Sequence, residues 1–95
     1  MNTDKWDFEE PWWDSDYRAI KFAAEKAGNR YICAISQIAL NDYFRSEDTK
    51  EAAFANYYKH ADMVHSVAIK LIQQDQPNER GVYFITSEVC NKFWS

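Results

Sequence analysis

The chain has 95 residues, 46% of them apolar, and its 15 Asp and Glu against 11 Lys and Arg leave a net charge of −4. That length holds one small domain with a single core, and an acidic balance argues against a general nucleic-acid binder, which neutralises phosphates with clustered Lys and Arg. No apolar run approaches the roughly 20 residues of a membrane-spanning helix and no leader sequence is recognisable, so a soluble, cytoplasmic protein is expected.

The charge is unevenly spread. Asp4, Asp7, Glu9, Glu10, Asp14 and Asp16 against Lys5 put −5 into residues 1–16, which leaves +1 on residues 17–95. The same opening stretch holds Trp6, Trp12 and Trp13, three of the four tryptophans. Residues 1–16 therefore read as an acidic, aromatic arm, and residues 17–95 as one small domain. Pro11 disfavours helix at Glu10, so the arm meets the body extended. Trp12 and Trp13 then point to opposite sides, one docking on the core and the other more exposed.

From Arg18 to Glu25, Ile20, Phe22 and Ala24 alternate with Ala19, Lys21 and Ala23 at the period of a half-buried strand. Lys26-Ala27-Gly28-Asn29 supplies a turn, and Arg30 to Ile35 returns as the second strand of a hairpin. Ser36 is placed to cap a short helix by accepting a backbone N–H bond. Ile38, Ala39, Tyr43 and Phe44 form its apolar side, and it ends near Arg45.

Asp48 followed by Glu51 resembles a capping box. Phe54, Tyr57, Ala61, Val64, Ala68 and Ile72 then recur at helical steps. If this helix runs to Asp75 it is about 40 Å long at 1.5 Å per residue. A body of this size has a radius of gyration of roughly 12 Å, so such a helix bends, overhangs or packs on a second copy. Pro77 to Gly81 breaks it, and Val82 to Ile85 reads as a third strand. Ser87 caps a short C-terminal helical turn carrying Val89, Cys90, Phe93 and Trp94. The expected order is strand-strand-helix-helix-strand, an α+β fold in two layers, with two helices covering one face of a three-stranded antiparallel sheet.

Few residues suggest chemistry. His65 lies within the apolar stripe, where a neutral imidazole needs a hydrogen-bond partner, and a satisfied core or interface histidine is the favoured reading over a catalytic base. His60, five positions earlier, does not share a helix face with it as a zinc pair would. Cys33, on a central strand, behaves as a small hydrophobe with its pKa pushed up, and Cys90 is the more accessible thiol. Two cysteines make too thin a framework for a secreted scaffold, so free thiols in a reducing compartment are expected. No phosphate loop, metal-helix signature or nucleophile elbow occurs, and no cofactor or metal is expected.

With this element order in place, "WWDSDYRAIKFAA", "GNRYICAIS" with Leu40 after it, and "GVYFITSE" resemble a family of small bacterial proteins known as domain of unknown function 1488. The likeness covers most of residues 12–92. It implies a sheet with two helices and offers no catalytic or ligand residues to carry over.

Three functional readings remain. The leading one is a non-enzymatic protein-interaction or regulatory module. In it Trp6, Trp12 and Trp13 dock a partner toward which the acids steer, or the chain pairs with itself through its long helix or a free sheet edge. The arm folding back to seal its own core is the blander account of the same residues. The second reading is a small-molecule binder or enzyme with a pocket near Tyr57 and His65. The third, an accessory nucleic-acid binder, requires Arg18, Lys21, Arg30 and Arg45 to converge on one face.

Overall fold

The computed structural model describes residues 5–45 and 47–94. Its elements are β1 (Asp7–Phe8), β2 (Trp12–Asp14), β3 (Ala19–Lys26), β4 (Asn29–Ser36), α1 (Gln37–Phe44), α2 (Lys50–Lys59), α3 (Ala61–Gln73), β5 (Tyr83–Ile85) and α4 (Ser87–Trp94). The α+β class stands, but the sheet is not three-stranded and antiparallel. It is a mixed sheet of five strands in the order β1-β3-β4-β5, with β2 also on β3.

The hairpin forms where alternation placed it. Ala19 pairs with Ser36 at one end and Lys26 with Asn29 at the other. Ala27 and Gly28 make the connection with φ of 53° and 82°. Two positive φ angles are the mark of a type I′ turn, whose twist matches that of the flanking strands. Ile20, Phe22 and Ala24, with Cys33 and Ile35 opposite, face the main core. Ala19 and Ala34 face the other side.

The described part of the arm, residues 5–16, forms the edge of this sheet, while residues 1–4 of the expected arm lie outside the described part. β1 pairs Phe8 with Ala24, and β2 pairs Trp12 with Lys21. Four steps along the arm thus oppose three along β3. The extra residue, beside Pro11, is a bulge, and a one-residue offset reverses which side each later side chain faces. Trp13, opposite Ile20, consequently packs against the core, whereas Trp12 stays 38% exposed on the other side.

β5 lies parallel to β4, Cys33 beside Tyr83 and Ile35 beside Ile85. Three helices separate the two strands, and a crossover of that length can carry the chain back to the end at which β4 began. A hairpin could not.

The expected long helix is two, α2 and α3, so the layer holds four helices rather than two. At His60, φ −118° and ψ 28° interrupt it. The His60 N–H bonds the Asn56 carbonyl, and its own carbonyl accepts from Met63 and Val64. The bend brings Ala53 and Tyr57 of α2 and Val64, Val67, Ala68 and Leu71 of α3 onto one core cluster. The radius of gyration is 12.7 Å, and the longest dimension is 41 Å. Thr49 rather than Asp48 caps α2, accepting from the Ala52 N–H, while the Asp48 carboxylate takes a bond from Gln37. Ser36 caps α1 as expected, and Arg45, at φ 47°, ends it. The C-terminal turn is a full helix, α4, whose Cys90 is buried and whose Trp94 meets Tyr43 edge-on. Thr86 rather than Ser87 caps it, accepting from the Val89 N–H, while the Ser87 hydroxyl donates to Asp42. All four helices place buried residues in the cluster with Ile20 and Phe22, so they share one face of the sheet.

Candidate functional site

The opposite face of the sheet carries no helix among the described residues. Its centre is made of small residues: Ala19 and Ala34 are fully buried, with Val82 beside them, beneath Tyr17, Ile32 and Phe84. The Tyr17 ring lies edge-on to Phe84 at 5.1 Å, with Lys21 Nζ 4.4 Å from its centre, and Asn78 Nδ2 donates to its hydroxyl. Lys21 Nζ also stands 2.8 Å from Asp14 Oδ2. That bond, with the Tyr17 N–H, holds the Asp14 carboxyl below the usual range. At the hairpin end Arg30 grips Glu9 through two bonds of 2.7 and 3.2 Å, lowering the Glu9 pKa and raising that of Arg30.

Two large apolar side chains are exposed at the margins of this face. Trp12 extends from the β2 edge, and Ile38, in the first turn of α1, is 67% exposed where α1 borders Tyr17 and Phe84. Ile38 corrects the expectation that it lines the buried side of its helix. Ala39 and Leu40 are buried and Tyr43 and Phe44 partly so, whereas Ile38 shares its face with the polar Asn41, Asp42 and Arg45. Beside it a groove of about 490 Å³ is walled by Tyr17, Ser36, Ile38, Phe84, Thr86 and Glu88. Sequence reasoning missed this groove, because its walls come from three separate segments. The polar neighbours of Ile38 were the available signal.

The other tryptophans lie elsewhere. Trp6 packs on Tyr31, ring centres 5.9 Å apart, under Lys26, and Trp13 lies against the core. The structure therefore does not bring the three together as one docking patch.

Tyr57 and His65 do meet. The Tyr57 hydroxyl is 2.7 Å from His65 Nε2, and Phe8 stacks flat on the imidazole at 3.7 Å and 4°. Burial pushes the His65 pKa below its ordinary value, and Asp62 pulls it partly back. Burial drives the Tyr57 hydroxyl well above the usual phenol range. Open grooves flank Phe8. One of about 450 Å³ includes Asp62, His65, Ser66 and Lys70, and one of about 140 Å³ includes Glu10, Pro11 and Tyr58. His60 is taken up separately, stacked on Phe44 at 3.7 Å.

Both cysteines are free and fully buried. Burial raises each thiol to about 12, which corrects the expectation that Cys90 is the accessible one. Among the described residues no three His, Cys, Asp or Glu stand close enough to share a metal ion, and no helix is long and apolar enough to cross a membrane. The four basic residues are dispersed. Arg18 precedes one end of β3, Arg30 lies near the other, roughly 20 Å away at 3.3 Å per residue, and Arg45 closes α1.

Comparison with known proteins adds a family and a fold. A family model described as "Protein of unknown function (DUF1488)" matches residues 7–85. A crystal structure of a DUF1488 protein of unknown function from Shewanella loihica PV-4 is similar, with a TM-score of 0.78 and 26% identity over 90% of this chain and 94% of that one. No curated protein matches.

Proposed function

The chain belongs to the DUF1488 family of unknown function, and from that premise we propose that it is a non-enzymatic protein-interaction module that docks through the helix-free face of its sheet. One observation carries this reading: Trp12 and Ile38 are exposed at the margins of a face whose centre is otherwise apolar. Exposed aromatic and aliphatic anchors beside a groove are the usual core of a protein interface. The potentially reactive groups support it further. Cys33 and Cys90 are sealed in the core, and His65 Nε2 is engaged by Tyr57. Two free thiols fit a reducing, cytoplasmic setting.

A photo-crosslinking residue at Ile38 should capture protein in the cells that make this chain, while the same residue at Met63, 42% exposed on α3, should not. Equal yields from both positions, or none from either, would refute the reading.

A second reading, a small-molecule binder, rests on the Tyr57–His65 pair lying between two open grooves. Its check is the imidazole resonance of His65 in a screen of small polar and aromatic compounds. A resonance that no compound moves removes it.

A further inference from the structure

The docking reading leaves its partner open, and resting on that reading we infer that the partner is a second copy of this chain, each copy inserting Trp12 into the other's groove beside Ile38.

The projection and the recess occupy the same face. Trp12 lies opposite Lys21 on the helix-free side, and the groove is walled on that side by Tyr17 and Phe84. A two-fold axis lying between two apposed faces acts, in projection, as a mirror line. One such axis can therefore set the Trp12 of each copy over the groove of the other, which is the self-complementary contact a two-fold dimer requires. At about 490 Å³ the groove falls in the size range of pockets that hold small aromatic groups. An inserted indole also finds the Glu88 carboxylate at the rim as an acceptor for its N–H.

Charge favours a copy over a strongly charged partner. Two of the cations beside the apolar strip, Lys21 and Arg30, already hold Asp14 and Glu9 within the chain, and a third, Arg80, lies against the Tyr17 ring. A highly charged partner would have to break those pairs. An equally apolar face with its own pairs closed leaves them intact.

Area sets the strength. The arm row, β3 and β4, each about 26 Å long, and the three-residue β5, about 10 Å, at about 4.8 Å spacing offer roughly 400 Å² per copy. The total of about 800 Å² is below that of a standard stable interface, so the dimer should be weak and reversible. Two sheets stacked in this way place the helices on the outside.

Sedimentation of the full chain between about 1 µM and about 1 mM spans the dissociation constants expected of such an interface. The expected result is a concentration-dependent dimer whose formation shifts tryptophan emission to shorter wavelength. Trp12→Ala and Ile38→Glu should each weaken it at least about tenfold, and Met63→Lys should leave it unchanged. Ile38 is on a helix surface, so Ile38→Glu keeps the test decisive even if Trp12→Ala disturbs the edge strand. A chain that stays monomeric throughout, or a dimer indifferent to both substitutions, overturns the inference. A monomer that still crosslinks other proteins from position 38 removes self-association while the docking reading stands.

Discussion

His65 gives Nε2 to the Tyr57 hydroxyl and one ring face to Phe8. Each contact is satisfied with the ring neutral, and burial depresses its pKa below the ordinary 6.5. In the window between the folded value and 6.5 the unfolded chain binds more protons than the folded one. Stability is therefore complete above the unfolded pKa and falls as pH drops through the window, with a slope of at most about 1.4 kcal/mol per pH unit for one proton. Urea unfolding from pH 7.5 to 5.5 should show this loss, and His65→Gln should flatten it. An unchanged slope in the variant would place the titration elsewhere. Glu9 and Asp14, whose pKa values are lowered, act in the same sense but at more acid pH, so they lie outside that range. The need of His65 for a partner is legible from its place in an apolar stripe. The stack on Phe8 is not, because it requires the arm to cross the helix.

At the scale of elements, turn chemistry is local and readable from a few neighbouring residues, and so is the cap at Ser36, whereas at α2 the expected Asp48 is taken by Gln37 and Thr49 caps instead. The hairpin nevertheless keeps Ala27 at φ 53°, a left-handed conformation that costs an L-residue with a Cβ roughly 1–2 kcal/mol and that Asn tolerates better. Ala27→Asn should raise stability by about 0.5–1 kcal/mol, seen in thermal unfolding as a rise of a few degrees. A lower midpoint would mean that the turn is not of this type. The edge strand was harder to read. Pro11 marks a departure from regular pairing, but only the register, Phe8 with Ala24 and Trp12 with Lys21, shows that one residue is extra and that Trp12 faces outward. The helix break at His60 has no proline or glycine to announce it. It exists because α2 and α3 meet the core along different lines.

Across the whole molecule, one helix layer closes one side of the sheet and buries both thiols completely. With pKa values near 12, Cys33 and Cys90 hold almost no thiolate at neutral pH. Labelling by an aromatic disulfide reagent should be negligible in the native state and should follow the rate of global unfolding for both. Fast labelling of either would reveal local opening that spares the rest of the core. The other side of the sheet has only its own small second core, Ala19, Ala34 and Val82 beneath Tyr17, Ile32 and Phe84. That asymmetry motivates both proposals made for this chain.

By itself the sequence determined the α+β class, the hairpin of residues 18–25 and 30–35, the cap at Ser36, the apolar stripe through Tyr57, Val64 and Ala68 and the burial of Cys33. Each is set by spacing or side-chain chemistry within a few residues, so no distant contact is needed to read it. Tertiary structure alone decided the parallel placement of β5, the pairing of the arm with β3, the bend at His60 and the outward turn of Trp12. Those depend on which strand edge or helix line a segment meets after the chain has folded back, and residues far apart in sequence specify that choice only together.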